Sequence, residues 1–308
     1  MNKIKCIPVL ALAALLSSCS LFGAKAPKFA DEGEQVDYTD FFNRYNDAYS
    51  NSELNDTNVK LTDRIIKTSN YEMNNSVLKR GNKEISKSEM TTNIKEESQF
   101  DVDNFVGKAT SESKETMKGN NPEGNGSYSL SSKSENYYQF EKENSYTYLV
   151  KANTKTQEYR FVDQVSSSRK KDVVFDETIR YEIVHFVELF DSYVPKTSFG
   201  SEDYLFYIKD DNLFTITLTK DETNNSSDYE YTFKRKLKIQ LDLTDKKQAL
   251  RISDETKTEY KYHINYDTYR DGDVVTTNQI MYAEYSVNSK NVNLSPIDVG
   301  DYIQRSLN

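Results

Sequence analysis

The distribution of hydrophobic and polar positions divides the chain into two strand-rich blocks separated by one helical segment. In the second block, Leu237, Ile239, Leu241 and Leu243 alternate with polar residues. Alternation with a period of two is typical of an antiparallel strand that has one face on a core and the other in water. The same pattern recurs through the block and predicts strands over 204–208, 213–218, 229–243, 250–252, 260–266 and 274–287.

The first block is more polar. Residues 84–100 and 105–118 are rich in Thr, Ser and Lys, and 101–104 between them predicts an exposed hairpin. A turn follows at 118–127, and alternating aromatic residues beyond it predict further strands. Residues 51–83 show no clear period and predict no particular element.

Three segments have helical spacing instead. Phe41, Phe42 and Tyr45 recur at intervals of three and four and predict a helix near 39–50. A longer apolar stripe, which includes Ile179 and Ile183, predicts a helix over about 173–192 that ends before Pro195. Ser295 as N-cap with Pro296 at the first helical position predicts a closing helix over 296–306.

These elements predict one domain over 38–308. Its fold class is α+β, mainly antiparallel β: a large curved open sheet, or half-barrel, covered by two or three amphipathic helices. Short turns keep successive strands adjacent, which favours a meander over a crossover fold.

The first nineteen residues have the order of a secretory signal. Lys3 and Lys5 precede an apolar run at 7–16, which is too short to cross a bilayer because a spanning helix needs about 20 residues. The sequence Leu16-Ser17-Ser18-Cys19 then resembles the lipobox of bacterial lipoprotein precursors. The resemblance implies a diacylglyceryl thioether on Cys19 and cleavage between Ser18 and Cys19, which makes 1–18 a signal peptide.

Cys19 decides between an anchored and a released protein. An ordinary signal with an incidental cysteine would give a soluble product, but Cys19 stands at the one position that the lipobox requires, and Cys6 leaves with the signal. Acyl chains hold a protein at a membrane through about 0.8 kcal/mol per buried methylene. We therefore expect a protein at the cell membrane or outer membrane, facing the extracytoplasmic side, with 19–37 as a flexible tether.

Charge and cysteine content exclude several classes of partner and site. Of the 40 Lys and Arg residues, Lys3 and Lys5 leave with the signal, so 38 basic residues face 49 acidic ones and the net charge is −11. Nucleic acid and anionic headgroups would be repelled by this charge. No thiol other than that of Cys19 remains, so neither a disulfide nor a cysteine metal site is expected. With 23 Tyr and no Trp, the core should be built largely from aromatic residues on strands.

The residues that carry catalytic and metal chemistry are few. The chain has two histidines: His185 flanks the apolar stripe of the predicted helix, and His263 lies on a predicted strand surface. Without a second nearby histidine, neither predicts a transition-metal site. No serine stands in a Gly-x-Ser-x-Gly elbow. We therefore expect no enzymatic activity, no cofactor and no metal.

Two loops have the partial form of ligand sites. Residues 119–125 have the glycine spacing of a phosphate loop, but Asn125 stands where lysine must reach the phosphates. Residues 267–272 resemble the start of a calcium loop, but Tyr269 replaces an oxygen ligand and Asn278 the final acid. Both segments are better explained as hairpin turns.

In the order of their predicted helices and strands, residues 38–308 resemble the half-barrel lipoproteins that include LolA and the LppX and LprG type. The resemblance implies a curved sheet around an apolar cavity, and hence a non-catalytic binding or carrier protein for a hydrophobic or amphiphilic ligand. The chain differs from that group in having many tyrosines and few large aliphatic residues on its apolar faces. The candidate ligand face consists of Tyr138, Phe140, Tyr146, Tyr148, Phe214, Tyr231, Phe233, Tyr262 and Ile264.

A second hypothesis uses the same strands differently. The protein would be a surface-exposed adhesin or antigen, or an envelope-assembly lipoprotein, with no small-molecule ligand. The two hypotheses differ in whether a cavity of about 300 Å³ or more lies between sheet and helices.

Overall fold

Long runs of Thr, Tyr, Ile and Val, broken by short turn sequences, make most of the chain extended, because β-branched and aromatic residues fit a pleated surface. The computed structural model describes residues 25–55, 58, 60–121, 124–141, 145–156, 164–171, 179, 183, 187–193, 195, 203–244, 247–265 and 268–295. One helix, α1, spans Tyr38–Asn51 and corresponds to the helix predicted near 39–50. Its N-cap is Asp37, whose carboxylate accepts the Asp40 amide at 2.9 Å.

Twelve strands are described. In chain order they are β1 Glu34–Val36, β2 Arg64–Arg80, β3 Lys83–Asp101, β4 Val106–Asn121, β5 Gly124–Glu141, β6 Ser145–Thr156, β7 Gln164–Lys171, β8 Tyr204–Lys209, β9 Leu213–Asn225, β10 Tyr229–Asp242, β11 Lys247–Tyr262 and β12 Asp273–Ser289.

All twelve belong to one sheet in which every pairing is antiparallel, in the order β1-β8-β9-β10-β11-β12-β2-β3-β4-β5-β6-β7. Two meanders, β2–β7 and β8–β12, meet where β12 pairs with β2. Tyr282 of β12 lies opposite Tyr71 of β2 at this junction. The described sheet is open, with β1 and β7 at its edges.

The buried core lies at one end of this sheet, here called the core end. Leu237, Ile239 and Leu241 of β10 mark the core face, and Ile239 lies between Ile216 of β9 and Ile252 of β11. α1 covers this end, and its Phe41 ring contacts Phe206 and Phe214 at centroid distances of 5.0 and 5.7 Å. Helical residues from the second predicted helix also belong to the core, namely Ile179, Ile183, Val187 and Phe190.

The opposite end of the sheet, here called the far half, has no such cover. It comprises 72–80, 83–92, 115–120, 219–225, 229–236, 256–262 and 273–280, and among these residues Asp273 alone is buried. Cross-strand pairs and the aliphatic stems of Lys and Arg must therefore stabilise this part in place of a second layer. Met90 of β3 and Met117 of β4 face each other there and are 42% and 41% exposed.

The predicted α+β half-barrel with two or three covering helices is therefore wrong. The described chain is mostly antiparallel β in one open sheet, and its helical residues, α1 and 179–193 as far as described, pack on the core end. The reason lies along the strands: on the core face of β10, Leu237 is followed toward the far half by Arg235 and then by aromatic residues, so the buried aliphatic stripe that packs under the helices ends there. The predicted closing helix at 296–306 lies outside the described residues.

The face opposite the core, here called the outer face, is charged. Its ion pairs cross between neighbouring strands, as in Lys67 with Glu97 at 2.6 Å and Lys133 with Glu112 at 2.7 Å. Exposed pairs of this kind contribute little to stability, about 0–1 kcal/mol each, but they keep a wide sheet soluble.

The N-terminal segment lies across the outer face at the core end. The side chain of Gln240 is fully buried and forms two hydrogen bonds with the backbone of Ala30. The Ala30 amide donates to Gln240 Oε1 at 2.8 Å, and Gln240 Nε2 donates to the Ala30 carbonyl at 3.2 Å. Glu32 pairs with Lys238 at 2.5 Å, and β1 then pairs with β8 at the sheet edge. Residues 30–36, which belong to the tether predicted over 19–37, are thus held against the sheet.

Candidate functional site

The largest described group of partly exposed aromatic rings lies in the far half, on the core face of β10 and β11. Alternation on β10 puts Tyr229, Tyr231 and Phe233 on one face, and the strand register puts Tyr262 and Tyr260 of β11 opposite the first two. Tyr269, from the loop between β11 and β12, adds a sixth ring. We call these six residues the tyrosine surface.

The rings of the tyrosine surface support one another. Tyr231 and Tyr260 are 4.7 Å apart between centroids, and Tyr229 meets Tyr260 edge-on at 5.7 Å. Tyr262 and Tyr269 stack at 4.4 Å with only 8° between their planes. Aromatic pairs at such distances are worth about 0.5–1.5 kcal/mol beyond the area that they bury. The surface is therefore held in shape although no described helix covers it.

Turn hydrogen bonds fix the two hairpins that carry these rings. The Ser226 hydroxyl accepts the Tyr229 amide at 3.1 Å in the β9–β10 turn, and the His263 amide donates to the Asp228 carbonyl at 2.8 Å. In the β11–β12 loop the Gly272 amide donates to the Tyr262 carbonyl at 2.9 Å, and Gly272 has a φ of +80°. Glycine adopts that conformation without strain, which explains the Asp-Gly pair found in this turn.

The charged side chains beside the tyrosine surface are paired with one another. Arg235 forms a two-pronged hydrogen bond with Asp254 at 2.9 and 2.7 Å. Lys220 lies 2.8 Å from Glu222 and 3.4 Å from Asp203. The surface thus combines aromatic faces and hydroxyl groups with locally balanced charge.

Burial raises the pKa of the Tyr231 hydroxyl, and the neighbouring Tyr260 and Glu222 raise it further. Its hydroxyl is therefore uncharged at physiological pH, and it can both donate and accept hydrogen bonds.

Comparisons with known proteins do not identify the chain. No protein-family model matches it, and no curated protein sequence matches it. Among solved structures, the translocator domain of the autotransporter NalP from Neisseria meningitidis is 8% identical and gives a TM-score of 0.23 over 82% of this chain and 96% of that domain. The transport unit of the autotransporter AIDA-I from Escherichia coli is also 8% identical, with a TM-score of 0.20 over 76% of this chain and 91% of that one. Likeness at such low TM-scores carries no argument about fold or function.

The predicted ligand face is divided between the two ends of the sheet. Tyr231, Phe233 and Tyr262 lie in the tyrosine surface, whereas Phe214 is fully buried in the core against Phe41 and Tyr45. Phe214 lies opposite Leu241, ten residues along β10 from Tyr231, which corresponds to about 33 Å at 3.3 Å per residue. Phe214 therefore cannot share a small ligand with Tyr231.

The remaining predicted site residues lie in other elements or outside the described part of the chain. Ile264 follows β11 in the loop and is partly exposed. Tyr138 lies opposite Tyr148, and Phe140 opposite Tyr146, across the β5–β6 pair, but their side chains lie outside the described residues. Ser18, Cys19 and His185 also lie outside them.

Three members of the tyrosine surface were missing from the predicted face. Tyr229 and Tyr260 share the alternation of Tyr231 and Tyr262, so the signal was present in the sequence. Tyr269 lies in a loop, where no periodic pattern exists, and only its stacking on Tyr262 reveals its role.

The other candidate chemistry is accounted for by structure. Gly119 lies in β4 opposite Gly126 of β5, and Asn125 lies opposite Asn120, so most of the turn predicted at 118–127 is the paired end of the β4–β5 hairpin. In the loop that resembles a calcium site, the Asp273 carboxylate accepts two hydrogen bonds from Arg80, each of 2.8 Å. Among the described residues no three His, Cys, Asp or Glu side chains converge as a metal site would require.

The described depressions are polar and open to solvent. The largest of four, about 700 Å³, lies between α1 and the β8–β9 turn and includes Arg44 and Asp211. The other three, of about 380–510 Å³, are lined by Lys, Glu, Ser, Thr, Asn and Gly residues of the sheet. Ligand pockets for apolar molecules are usually enclosed and lined by hydrophobic groups, so none of these four has that character.

In the part of the chain that the structure describes, neither α1 nor the helical residues near 190 have the length and apolar character of a membrane-crossing helix.

Proposed function

We propose that the protein is a non-catalytic extracytoplasmic lipoprotein that is anchored through Cys19 and presents the far half of its sheet as a binding surface. The observation that carries this proposal is the absence of burial there: within the ranges of the far half that are described, Asp273 is the one buried residue. A sheet segment this long, partly exposed on both faces, offers a large surface for recognition. Ion pairs across its outer face, Lys234 with Asp221 at 2.7 Å and Lys261 with Glu230 at 3.7 Å, keep it soluble.

The structure gives less support to the carrier hypothesis. That hypothesis depended on a half-barrel with an acyl cavity between sheet and helices, and the fold is a different one. At the core end, where the helices lie, Phe41, Phe190, Phe214 and Ile239 have no exposed surface. Side chains therefore fill the place in which an acyl chain would have to lie.

The anchor gives the molecule an orientation in this proposal. The chain between Cys19 and Phe29 is ten residues long and spans at most about 35 Å. Lys238 lies at the core end. Its Nζ lies 5.0 Å from the centroid of the Phe29 ring and forms an ion pair with Glu32. The β9–β10 turn begins beyond Tyr229, eleven residues along β10 from Gln240, or about 36 Å away. Anchoring at Cys19 would thus keep the core end near the membrane and direct the far half outward.

The anchor is tested with two cysteine variants. Cells that express the full precursor would be fed an alkyne analogue of palmitate, and the protein would be examined for label and for membrane fractionation. We expect Cys19→Ala to abolish both, and Cys6→Ala, within the signal, to leave both unchanged. A labelled Cys19→Ala protein, or unlabelled wild type, would refute lipidation at this position.

A second experiment separates a binding surface from a lipid carrier. The chain from residue 19, with Cys19→Ser so that no detergent is needed, would be examined by native mass spectrometry after purification from cells and after incubation with phospholipids. We expect the mass of the chain alone in both cases. A lipid bound in stoichiometric amounts would establish the carrier function instead.

A further inference from the structure

We infer that the tyrosine surface is a binding site for an uncharged carbohydrate chain. The inference rests on the proposed function, because it names the ligand class of the surface that the anchored protein would present. Six aromatic rings, balanced charges and a lining of hydroxyl and amide groups support it.

The rings offer flat and preorganised faces. Tyr262 and Tyr269 stack almost in parallel, and Tyr231 is held against Tyr260 at 4.7 Å, so little conformational freedom would be lost on binding. The faces of pyranose rings carry C–H groups that pack on aromatic planes, while the sugar hydroxyls point sideways. A tyrosine is suited to this geometry because it combines an apolar ring with a polar tip.

The hydroxyl groups argue against an acyl chain at this place. Five of the six residues are tyrosines, and an apolar ligand would remove water from their hydroxyls without replacing its hydrogen bonds, which is costly. A carbohydrate can replace them. Further polar groups lie on the same face, since Asn224 is opposite Tyr231 and Thr258 is opposite Phe233 in the register.

The charge distribution argues against an ionic ligand. The two cations that this face places beside the rings, Lys220 and Arg235, are already paired with Glu222 and Asp254. An anion would have to compete with those carboxylates and would meet a chain of net charge −11 without its signal. A cation would likewise compete with Lys220 and Arg235. An uncharged ligand meets neither cost.

The direct test is calorimetric titration of the chain from residue 19 carrying Cys19→Ser. The probes are uncharged hexasaccharides of glucose, mannose, galactose and N-acetylglucosamine, at up to about 10 mM, a range that detects even weak binding. We expect at least one to bind, with an affinity that changes by less than about twofold between low and high salt because no charge pairing is involved.

Ring variants locate the site. We expect Tyr231→Ala and Tyr260→Ala each to weaken binding about tenfold or more, and Tyr260→Phe, which keeps the ring, to weaken it less. The matched control is Tyr71→Ala, because Tyr71 stacks with Tyr282 at 6.1 Å on the outer face of the same sheet. It should leave affinity within about twofold. Circular dichroism would verify that each variant is folded.

Three results would overturn the inference: no binding of any of the four hexasaccharides by folded protein, binding that Tyr231→Ala leaves intact, or burial of the rings by self-association in sedimentation experiments. These results are independent of the anchor. A chain that is acylated at Cys19 but binds no sugar would retain the proposed function without this ligand. A chain that binds sugar but is not acylated would retain the site and lose the anchor.

Discussion

The Tyr45 hydroxyl on α1 donates a 2.7 Å hydrogen bond to the carboxylate of Asp191, which lies in the helical residues 187–193 between the two strand blocks. The Tyr45 ring is 3% exposed and contacts both Phe190 and Phe214. This single side chain therefore joins the two helical regions to β9. Burial and the nearby Asp191 raise the pKa of Tyr45 above its usual value of about 10.

The raised pKa predicts how stability depends on pH at the alkaline end. A phenol whose pKa is higher in the folded than in the unfolded state favours folding below pH 10, and this contribution is lost as the pH rises beyond that value. We expect Tyr45→Phe to cost about 0.5–1.5 kcal/mol at neutral pH through the lost hydrogen bond, and to flatten the decline above pH 10. Denaturant unfolding from pH 7 to 11 would measure both. The partly exposed Tyr207→Phe serves as control, and an unchanged alkaline decline in Tyr45→Phe would contradict the assignment.

The contrast between core end and far half predicts different costs for the same substitution. Ile239 has no exposed surface and lies between Ile216 and Ile252, so Ile239→Ala should cost about 2–5 kcal/mol of unfolding free energy. Ile280, on the outer face of the far half, is partly exposed. Ile280→Ala should cost about 1 kcal/mol or less. If Ile239→Ala and Ile280→Ala lowered the unfolding free energy equally in urea, the side chain of Ile280 would have to be as buried as that of Ile239, which would contradict the contrast between the two ends.

A charged pair secures the outermost turn of the far half. Arg80 holds Asp273 through two hydrogen bonds, the Arg270 amide adds a third at 2.9 Å, and the pKa of Asp273 lies below its usual value chiefly because of Arg80. A lowered carboxyl pKa stabilises the fold above about pH 4, and this contribution is lost as the pH falls through the folded-state value. The turn should therefore open locally in acid before the core end unfolds.

Hydrogen exchange would test that expectation. We expect Asp273→Asn to lower the protection factor of the Gly272 amide at pH 6, relative to an unstructured amide at the same pH, and to remove the further loss of protection in acid. Asp271→Asn, two residues away and exposed, should leave exchange at Gly272 nearly unchanged. An Asp273→Asn protein that exchanges like wild type would show that the Arg80 pair does not hold the turn.

The sequence predicted the strands best where one face is buried. The faultless alternation of Leu237, Ile239 and Leu241 corresponds to β10, whereas β3 and β4, predicted at 84–100 and 105–118, were recognised by their Thr- and Ser-rich composition and the turn between them. β2 had no such signal, because beyond Ile66 its residues are partly exposed or exposed, so polar side chains occupy both of its faces. Backbone pairing with β12 and β3 makes it a central strand, and that cannot be read from its own pattern.

The candidate site could be predicted only in part for a related reason. Alternation assigns Phe214 and Tyr231 to the same face of the sheet, and the structure agrees, but it does not tell how far along a strand the helices extend. One residue is therefore in the core and the other in the open surface. Gln240 shows the converse: a polar residue on the outer face is buried because Ala30, 210 positions away, satisfies its amide.

The N-terminal attachment depends on Gly33, which predicts the effect of adding one methyl group. Gly33 has a φ of +87°, and a Cβ there would lie 2.4 Å from the Ile208 carbonyl oxygen of β8. Because that oxygen belongs to the backbone, it cannot move aside cheaply. We expect Gly33→Ala to release residues 30–36 from the sheet, seen as faster amide exchange in β1 and easier proteolysis before α1.

Gly81→Ala separates the effect of backbone conformation from that of the close contact. Gly81 also has a positive φ, +58°, but there is open space where its Cβ would lie. It should show only the backbone cost of about 1 kcal/mol, without loss of β1 protection. Equal behaviour of the two variants would mean that the close approach to β8 does not hold the segment. If Gly33→Ala does release it, the chain between Cys19 and the folded domain becomes longer, and the orientation proposed for the anchored protein should be lost while acylation remains.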